Sequence, residues 1–281
     1  MIQESAFLVE NKTSPRLWGA VQRFIETCQA RGKIAFSMNE LLAATGLSNI
    51  AARSQLTRLS PHVVRVAPRQ NFFLIVRPEQ IPMGAPPAFW WLNAYFKFLS
   101  QPYYVGLLTA AAEYGSSHQA AQVIQVLTDR PMTDLRIGRI RVQFFVKKTV
   151  GEVPAVELPA AYAPLKISTP ETTALDLLRY AHRIGGASRA VHAIRDMLPK
   201  FSKKRLQDAV AAEAEASNVQ RLGFILDQLN RQNLAVSIRR WIPAKPNWVY
   251  LEHHKASELG HREDGSSPWR VILNSDIQEL S

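Results

Sequence analysis

A single cysteine in 281 residues rules out an internal disulfide and fits a reducing compartment, so a cytoplasmic location is expected. Long apolar runs are missing as well. No stretch approaches the roughly 20 residues needed to cross a bilayer. The opening residues 1–5, Met-Ile-Gln-Glu-Ser, have neither the basic start nor the apolar centre of a signal peptide. No basic amphipathic segment of the interfacial kind stands out, so no membrane partner is expected. The usual cofactor signatures are absent: there is no P-loop, no glycine-rich dinucleotide fingerprint and no kinase-like glycine loop with downstream Lys and Asp.

The most informative shortage is local. Between Leu41 and Pro78 there is no Asp or Glu, yet five arginines occur there: Arg53, Arg58, Arg65, Arg69 and Arg77. The same stretch has a structural pattern that gives the charge a target. Ser37 reads as an N-cap with Glu40 three residues on, and Gly46 as a C-terminal stop, which marks a short helix. Ser48 then opens a second helix, whose Ala52, Leu56 and Leu59 fall on one buried stripe; Pro61 ends it. Residues 63–67 and 72–76 are β-rich runs joined by Pro68, Arg69, Gln70 and Asn71, which reads as a hairpin.

Helix, tight turn, helix and basic-tipped hairpin is the layout of a winged helix-turn-helix. In that layout the second helix enters the major groove. Ser48 and Asn49 open it, Ser54, Thr57 and Arg58 lie opposite the buried stripe, and Arg53 flanks them. Arg65, Arg69 and Gln70 on the wing would reach backbone or minor groove. A helix over about residues 14–30 carries Leu17, Val21, Phe24, Ile25 and Cys28 on one face and should pack behind the other two. Residues 32–36 form a short strand able to pair with the wing.

Net charge is +11 with a pI near 10, which favours a polyanion as partner. Residues 1–88 hold ten Lys/Arg against five Asp/Glu, so about half of the excess sits outside that region. The expected class is α+β: a winged helix-turn-helix over residues 1–77, a Pro-rich linker over 78–88, and a mixed α/β domain over 89–281. The linker, with four prolines and a glycine, is expected to hold no regular element. Beyond it the pattern predicts an aromatic helix over 88–99, a helix from 102 to about 115, and a buried strand over 123–127. Residues 139–146 alternate Arg139, Arg141 and Gln143 with Ile140, Val142 and Phe144, as a strand with one basic face would. With Arg136, Lys147 and Lys148 that face forms a second basic surface for DNA, RNA or protein. A strand over 165–167 leads into a helix capped by Ser168 with Glu171; helix capping and solvation account for Glu171 and Asp176. Three helices over 187–230 and two strands, 248–251 and 269–274, complete the pattern.

Asp129, Asp134 and Lys147 would be the set for a metal-dependent nuclease, and Glu252, His253, His254 and His261 the set for a metal site, but the latter lack helical ligand spacing. His118 reads as a hydrogen-bonded loop residue. No catalytic, metal or cofactor site is expected.

Several motifs carry a family resemblance. QPYYVGLLTAA at 101–111, Tyr114 with Gly115, His118 with Gln119, QVIQVLTDRP at 122–131, RIGRIR at 136–141, ISTPETTALDL at 167–177, VQRLGFIL at 219–226 and WRVILN at 269–274 together resemble the AbiE-type (AbiEi) antitoxins. The resemblance implies the antitoxin half of a bacterial type IV toxin–antitoxin pair, often linked to phage defence. It implies a winged head that represses its own operon by binding inverted repeats in double-stranded DNA. It also implies a C-terminal domain that counters a nucleotidyltransferase-like toxin without needing a stable complex. Two other readings of the same residues are an ordinary transcription factor with a ligand- or protein-sensing C-terminal domain, and a nucleic-acid-processing enzyme with a winged targeting head.

Overall fold

The computed structural model describes residues 19–116, 123–213, 215–252, 261–262 and 267–274. Leu17, His118, His253 and His254 lie outside them. The chain starts with α1 (Ala20–Ala30), β1 (Ala35–Ser37), α2 (Met38–Thr45), α3 (Asn49–Arg58), β2 (Val63–Arg65) and β3 (Phe72–Ile75). The strands form an antiparallel sheet in the order β1-β3-β2. This element order is the one a winged helix-turn-helix calls for.

Local signals account for the helix boundaries. The Ser37 hydroxyl accepts from the Glu40 N–H while the Glu40 carboxylate accepts from the Ser37 N–H, a reciprocal cap on α2. Gly46 closes α2 in the left-handed region at φ 66°. Ser48 caps α3 through the Ala51 N–H. Val21, Ile25, Phe36, Leu41, Ala52, Leu56, Phe73 and Ile75 pack together as the core between these helices and one face of the sheet.

The other face of that sheet is buried too. Phe72 and Leu74 point away from α3 and join a second core with Trp91, Tyr95 and Phe96 of α4 (Ala88–Leu99). Phe72 lies between Tyr95 and Phe98, with ring centroids 5.5 and 5.1 Å away. The stretch between wing and α4 departs from the expected irregular linker. Pro78 opens a 3-10 helix, Pro78–Met83, since its missing N–H is unneeded in a first turn. Gly84 at φ 78° and Gly138 at φ 56° then meet face to face: a Cβ on Gly84 would fall 2.7 Å from the Gly138 Cα. The Arg139 N–H donates to the Met83 carbonyl (2.8 Å). The proline-rich stretch is thereby fastened to a hairpin of the next sheet.

That sheet has six strands: β4 (Tyr103–Val105), β5 (Ile124–Thr128), β6 (Leu135–Ile137), β7 (Ile140–Val146), β8 (Ala155–Leu158) and β9 (Leu165–Ser168), in the order β6-β7-β5-β4-β9-β8. β5 runs parallel to β7, and β4 to β9; the remaining pairs are antiparallel. The period-2 alternation of strands divides each central strand between two cores. Tyr103, Val105, Val126 and Phe144 face α4 and the wing. Tyr104, Leu127 and Phe145 face the helices that follow.

Those helices are α5 (Leu107–Glu113), α6 (Pro170–Arg179), α7 (Ala181–Ile184), α8 (Ala187–Met197), α9 (Lys203–Ala211), α10 (Ala216–Gln228) and α11 (Gln232–Ile238). A small sheet of β10 (Val249–Tyr250), β11 (His261–Arg262) and β12 (Val271–Leu273) follows, in the order β10-β12-β11. The chain is an α+β fold.

Three expectations need correction. The helix read over residues 102–115 begins with a strand, because Tyr103, Tyr104 and Val105 pair with β5 and Val105 also pairs with Ile167 of β9; the helix starts only at Leu107. The cap of α6 is Thr169, accepting from the Thr172 N–H, rather than Ser168. Ser168 is instead the last residue of β9. Arg139 sits in the β6–β7 turn and not on the strand face, because Ile137 pairs with Ile140 across it.

A close packing in α10 gives a stability test. A Cβ at Gly223 would overlap the indole ring of Trp269, which is buried and donates its N–H to Asp227. In a free helix Gly→Ala gains about 1 kcal/mol. Here overpacking against a fixed ring outweighs that gain, so Gly223→Ala is expected to destabilise by about 1–3 kcal/mol, read as a lowered thermal midpoint.

Candidate nucleic-acid interface

Helix α3 presents a polar outer face because its apolar residues all fall on the other side. Ala52 and Leu56 are buried and Leu59 packs on the same core. Ser48, Asn49, Arg53, Ser54, Thr57 and Arg58 are all exposed. Among these, Arg53 is held from two directions. Arg53 Nε donates to Asn49 Oδ1 (2.6 Å), one helical turn earlier. Its Nη2 donates to Asn71 Oδ1 (3.2 Å) on the wing.

Asn71 joins helix and wing. The same Oδ1 accepts from Arg65 Nη2 (2.9 Å), while Arg65 Nε donates to the Gln70 carbonyl (2.6 Å). One neutral side-chain oxygen therefore orients two guanidinium groups without cancelling their charge. The Arg65 guanidinium carbon also lies 6.0 Å from the Phe73 ring centroid. Arg53, Thr57, Ser60, Val63, Arg65 and Phe73 border a concavity of 390 Å³ between α3 and the wing.

The expected wing residues divide between two sides. Arg65 faces α3. Arg69 borders, with Arg130, Arg136 and Tyr95, an open concavity of 820 Å³ between the wing and the six-stranded sheet. Gln70 is half-buried and contributes its carbonyl to Arg65. Sequence reasoning missed two residues. Asn71 carries only a turn signature in the sequence. Ile50, four residues before Ser54 on the outer face, is 84% exposed.

On the second basic surface, Arg136, Arg139, Arg141 and Lys148 are exposed. Arg136 and Arg141 are directly opposite each other across β6 and β7. Like charges in that position repel, and neither has an ion pair among the described residues.

Lys147 does not belong to that surface. It is 3% exposed, and its ammonium bonds to Asp176 Oδ1 (2.6 Å) and Glu213 Oε2 (3.3 Å). Burial works against its charge, but the two carboxylates overcome this and raise its pKa. Asp176 also accepts from the Tyr104 hydroxyl (2.8 Å); burial and the adjacent carboxylate push that phenol well up, so it stays a donor. Arg179 bonds to Glu213 and to Glu215 (2.6 Å), extending the network to the start of α10. Asp176 and Glu171 are thus fully buried rather than solvated. Glu171 accepts from the Ser202 N–H (2.6 Å) and from Arg205 Nε (3.2 Å), bracing α9 against α6.

This arrangement also separates the groups of the nuclease reading. Asp129 accepts from Gln101 and Asp134 from the Phe144 N–H, while Lys147 is engaged on the far side. Glu252 is buried against the Ala187 N–H. No group of three or more His, Cys, Asp and Glu side chains able to hold a metal occurs among the described residues. No helix among them is long and apolar enough to cross a membrane.

The six-stranded sheet from β4 onward, with the helices through α10, matches a known family. Residues 104–228 fit the model of the AbiEi antitoxin C-terminal domain. The chain carries an AbiEi-type antitoxin domain. Such a domain implies a toxin as counterpart and suggests a regulator. Lys147 and Asp176, and thus the centre of the buried network, lie within the matched region. A comparison with curated proteins gives no significant match. The crystal structure of the RV2827C protein from Mycobacterium tuberculosis is similar, with a TM-score of 0.65 at 14% identity, covering 93% of each chain. At that identity the likeness is one of fold. At 93% coverage it extends beyond residues 104–228 to the N-terminal helices and three-stranded sheet.

Removing one partner from a buried ion network leaves a charge uncompensated. Lys147→Ala is therefore expected to cost about 3–5 kcal/mol, seen as a fall in the urea midpoint. An unchanged midpoint would return Lys147 to the solvated basic surface.

Proposed function

We propose that this AbiEi-type protein is a DNA-binding antitoxin that represses its own operon. In this reading α3 and the wing bind inverted repeats in double-stranded DNA, and the C-terminal domain counters a nucleotidyltransferase-like toxin. The pair would be of type IV, acting in phage defence inside the cytoplasm, with no stable complex required. The proposed units are those expected from the sequence: a winged head over 1–77, a connecting stretch over 78–88 and the antitoxin domain over 89–281.

The observation that carries the DNA reading is the Arg53–Asn71–Arg65 bridge. It holds two cations at fixed places on adjoining elements that can address groove and backbone together. Fixing them beforehand removes part of the ordering cost of binding. Across the exposed face of α3, Ser48, Asn49, Ser54, Thr57 and Arg58 offer donors and acceptors to base edges and phosphates. The acid-free stretch from Leu41 to Pro78 places no carboxylate on this face to repel the duplex. The exposed Arg136/Arg141 pair adds a second place where a polyanion would relieve repulsion.

The test is a footprint on the DNA upstream of the gene, with wild type and Arg53→Ala/Arg58→Ala. Protection of an inverted repeat, lost in the variant, is the expected result; no protection by wild type at low salt would overturn the proposal. The wild-type binding constant should fall by about 0.9 log units per log unit of salt for each phosphate neutralised, and a flat salt response would contradict phosphate contact. Asn71→Ala, which leaves both arginines in place but unfastened, is expected to weaken operator binding by about tenfold, a loss of about 1.4 kcal/mol. A gel-shift titration checks it.

A further inference from the structure

We infer that Ile50 determines sequence specificity by packing against thymine 5-methyl groups in the major groove of the operator. The inference rests on the DNA-binding reading above and assigns one residue a task within it. Ile50 is the second residue of α3. With Ser54 and Thr57 at i+4 and i+7 it occupies the middle of the face opposite Ala52 and Leu56. At 84% it is the most exposed large hydrophobic side chain among the described residues; Val236 follows at 71%, and the others lie between 37 and 45%.

The fold gains little from such a residue. A β-branched side chain is a mediocre helix former, and here it joins none of the three apolar cores. Its immediate neighbours, Ser48, Asn49, Arg53 and Ser54, are polar and exposed. Three of them are already fastened, since Ser48 caps the helix, Asn49 accepts from Arg53 and Arg53 reaches Asn71. The outer face thus has a fixed polar frame with one apolar point near the N-terminal end of the helix, the end that meets base edges in this kind of docking. Among base edges in the major groove, the one apolar group is the thymine methyl. Exposed alone, the isoleucine has no apolar partner; against a thymine methyl, both lose contact with water.

The experiment uses the full-length protein and the operator defined by footprinting. Each thymine is replaced singly by deoxyuridine, which deletes the methyl and leaves the hydrogen-bonding edge intact. Affinities are measured at one salt concentration for wild type, Ile50→Ala and Ile50→Val. Wild type should lose roughly fourfold at one or two thymines of each half-site, the effect of one methyl-sized group. Ile50→Ala should bind the all-thymine operator several-fold more weakly and show no further loss at those same positions. Ile50→Val, which keeps the branched methyls, should retain the thymine preference.

Because Ile50 packs on no core, neither variant should lower the thermal midpoint, and Ile50→Ala should raise it slightly through better helix propensity. The inference is overturned if Ile50→Ala binds the all-thymine operator as wild type does, or if the losses from deoxyuridine and from Ile50→Ala simply multiply. In the first case Ile50 faces a protein partner instead. Failure of wild type to bind the all-thymine operator is a separate result that removes the DNA reading itself.

Discussion

Strand β3 is buried on both faces, and the placement of everything else depends on it. Its Phe73 and Ile75 complete the core under α3, while Phe72 and Leu74 complete the core under α4. A strand so enclosed cannot shift by one residue without exchanging the two sets of side chains between cores. The register of β3 with β1 and β2 therefore also sets where the wing stands relative to α4, and through α4 relative to the six-stranded sheet. Burying an aromatic or aliphatic side chain of this size contributes about 1.5–3 kcal/mol, so four such positions make this seam difficult to open. The bond from Arg139 to Met83 and the close approach of Gly84 to Gly138 fasten the same junction from the solvent side.

A seam of that kind changes what the surface arginines can do together. On a flexible tether, basic groups before and after residues 78–88 would act on separate ligands, or on one ligand at an entropic cost. Here Arg69 on the wing and Arg130 and Arg136 beyond it border one concavity. Arg65, four residues before Arg69, faces the opposite side and is tied to α3 through Asn71. A polyanion meeting the wing would thus find cations on both flanks at set positions. The repulsion between Arg136 and Arg141 is tolerated by the fold, since Leu135, Ile137 and Val142 beside them are buried in the core on the opposite face.

The features that were legible in the sequence are those written in consecutive residues. Ser37 with Glu40, Gly46, Ser48 and the Ala52/Leu56 stripe each depend on neighbours within a turn or two, and the structure reproduces them. The α+β class and the antitoxin family were legible for a related reason, because several motifs run for ten residues or so. What was misread depends on partners far along the chain. Lys147 carries a surface signature locally, following a strand with exposed arginines, and only Asp176 and Glu213 reveal it as the centre of a buried network. Asn71 looks like a turn residue until Arg53, eighteen positions earlier, is placed beside it. Tyr103 to Val105 has the composition of either element; pairing with β5 and β9 decides for strand. Ile50 is illegible for the opposite reason: an apolar residue in a helix signals a core, and it belongs to none.

The buried network and the outer face of α3 follow opposite electrostatic rules. Around Lys147, carboxylates come close enough to outweigh the burial of the charge, and the group is sealed from solvent and from any ligand. On α3 and the wing, the arginines are oriented by neutral oxygens of Asn49, Asn71 and Gln70 and keep their full charge available. A carboxylate in place of Asn71 would hold Arg53 and Arg65 more tightly and yet leave them less able to attract an anion. An amide at that position orients both guanidinium groups and leaves their charge uncancelled, and the acid-free stretch from Leu41 to Pro78 has the same effect on the charge around them.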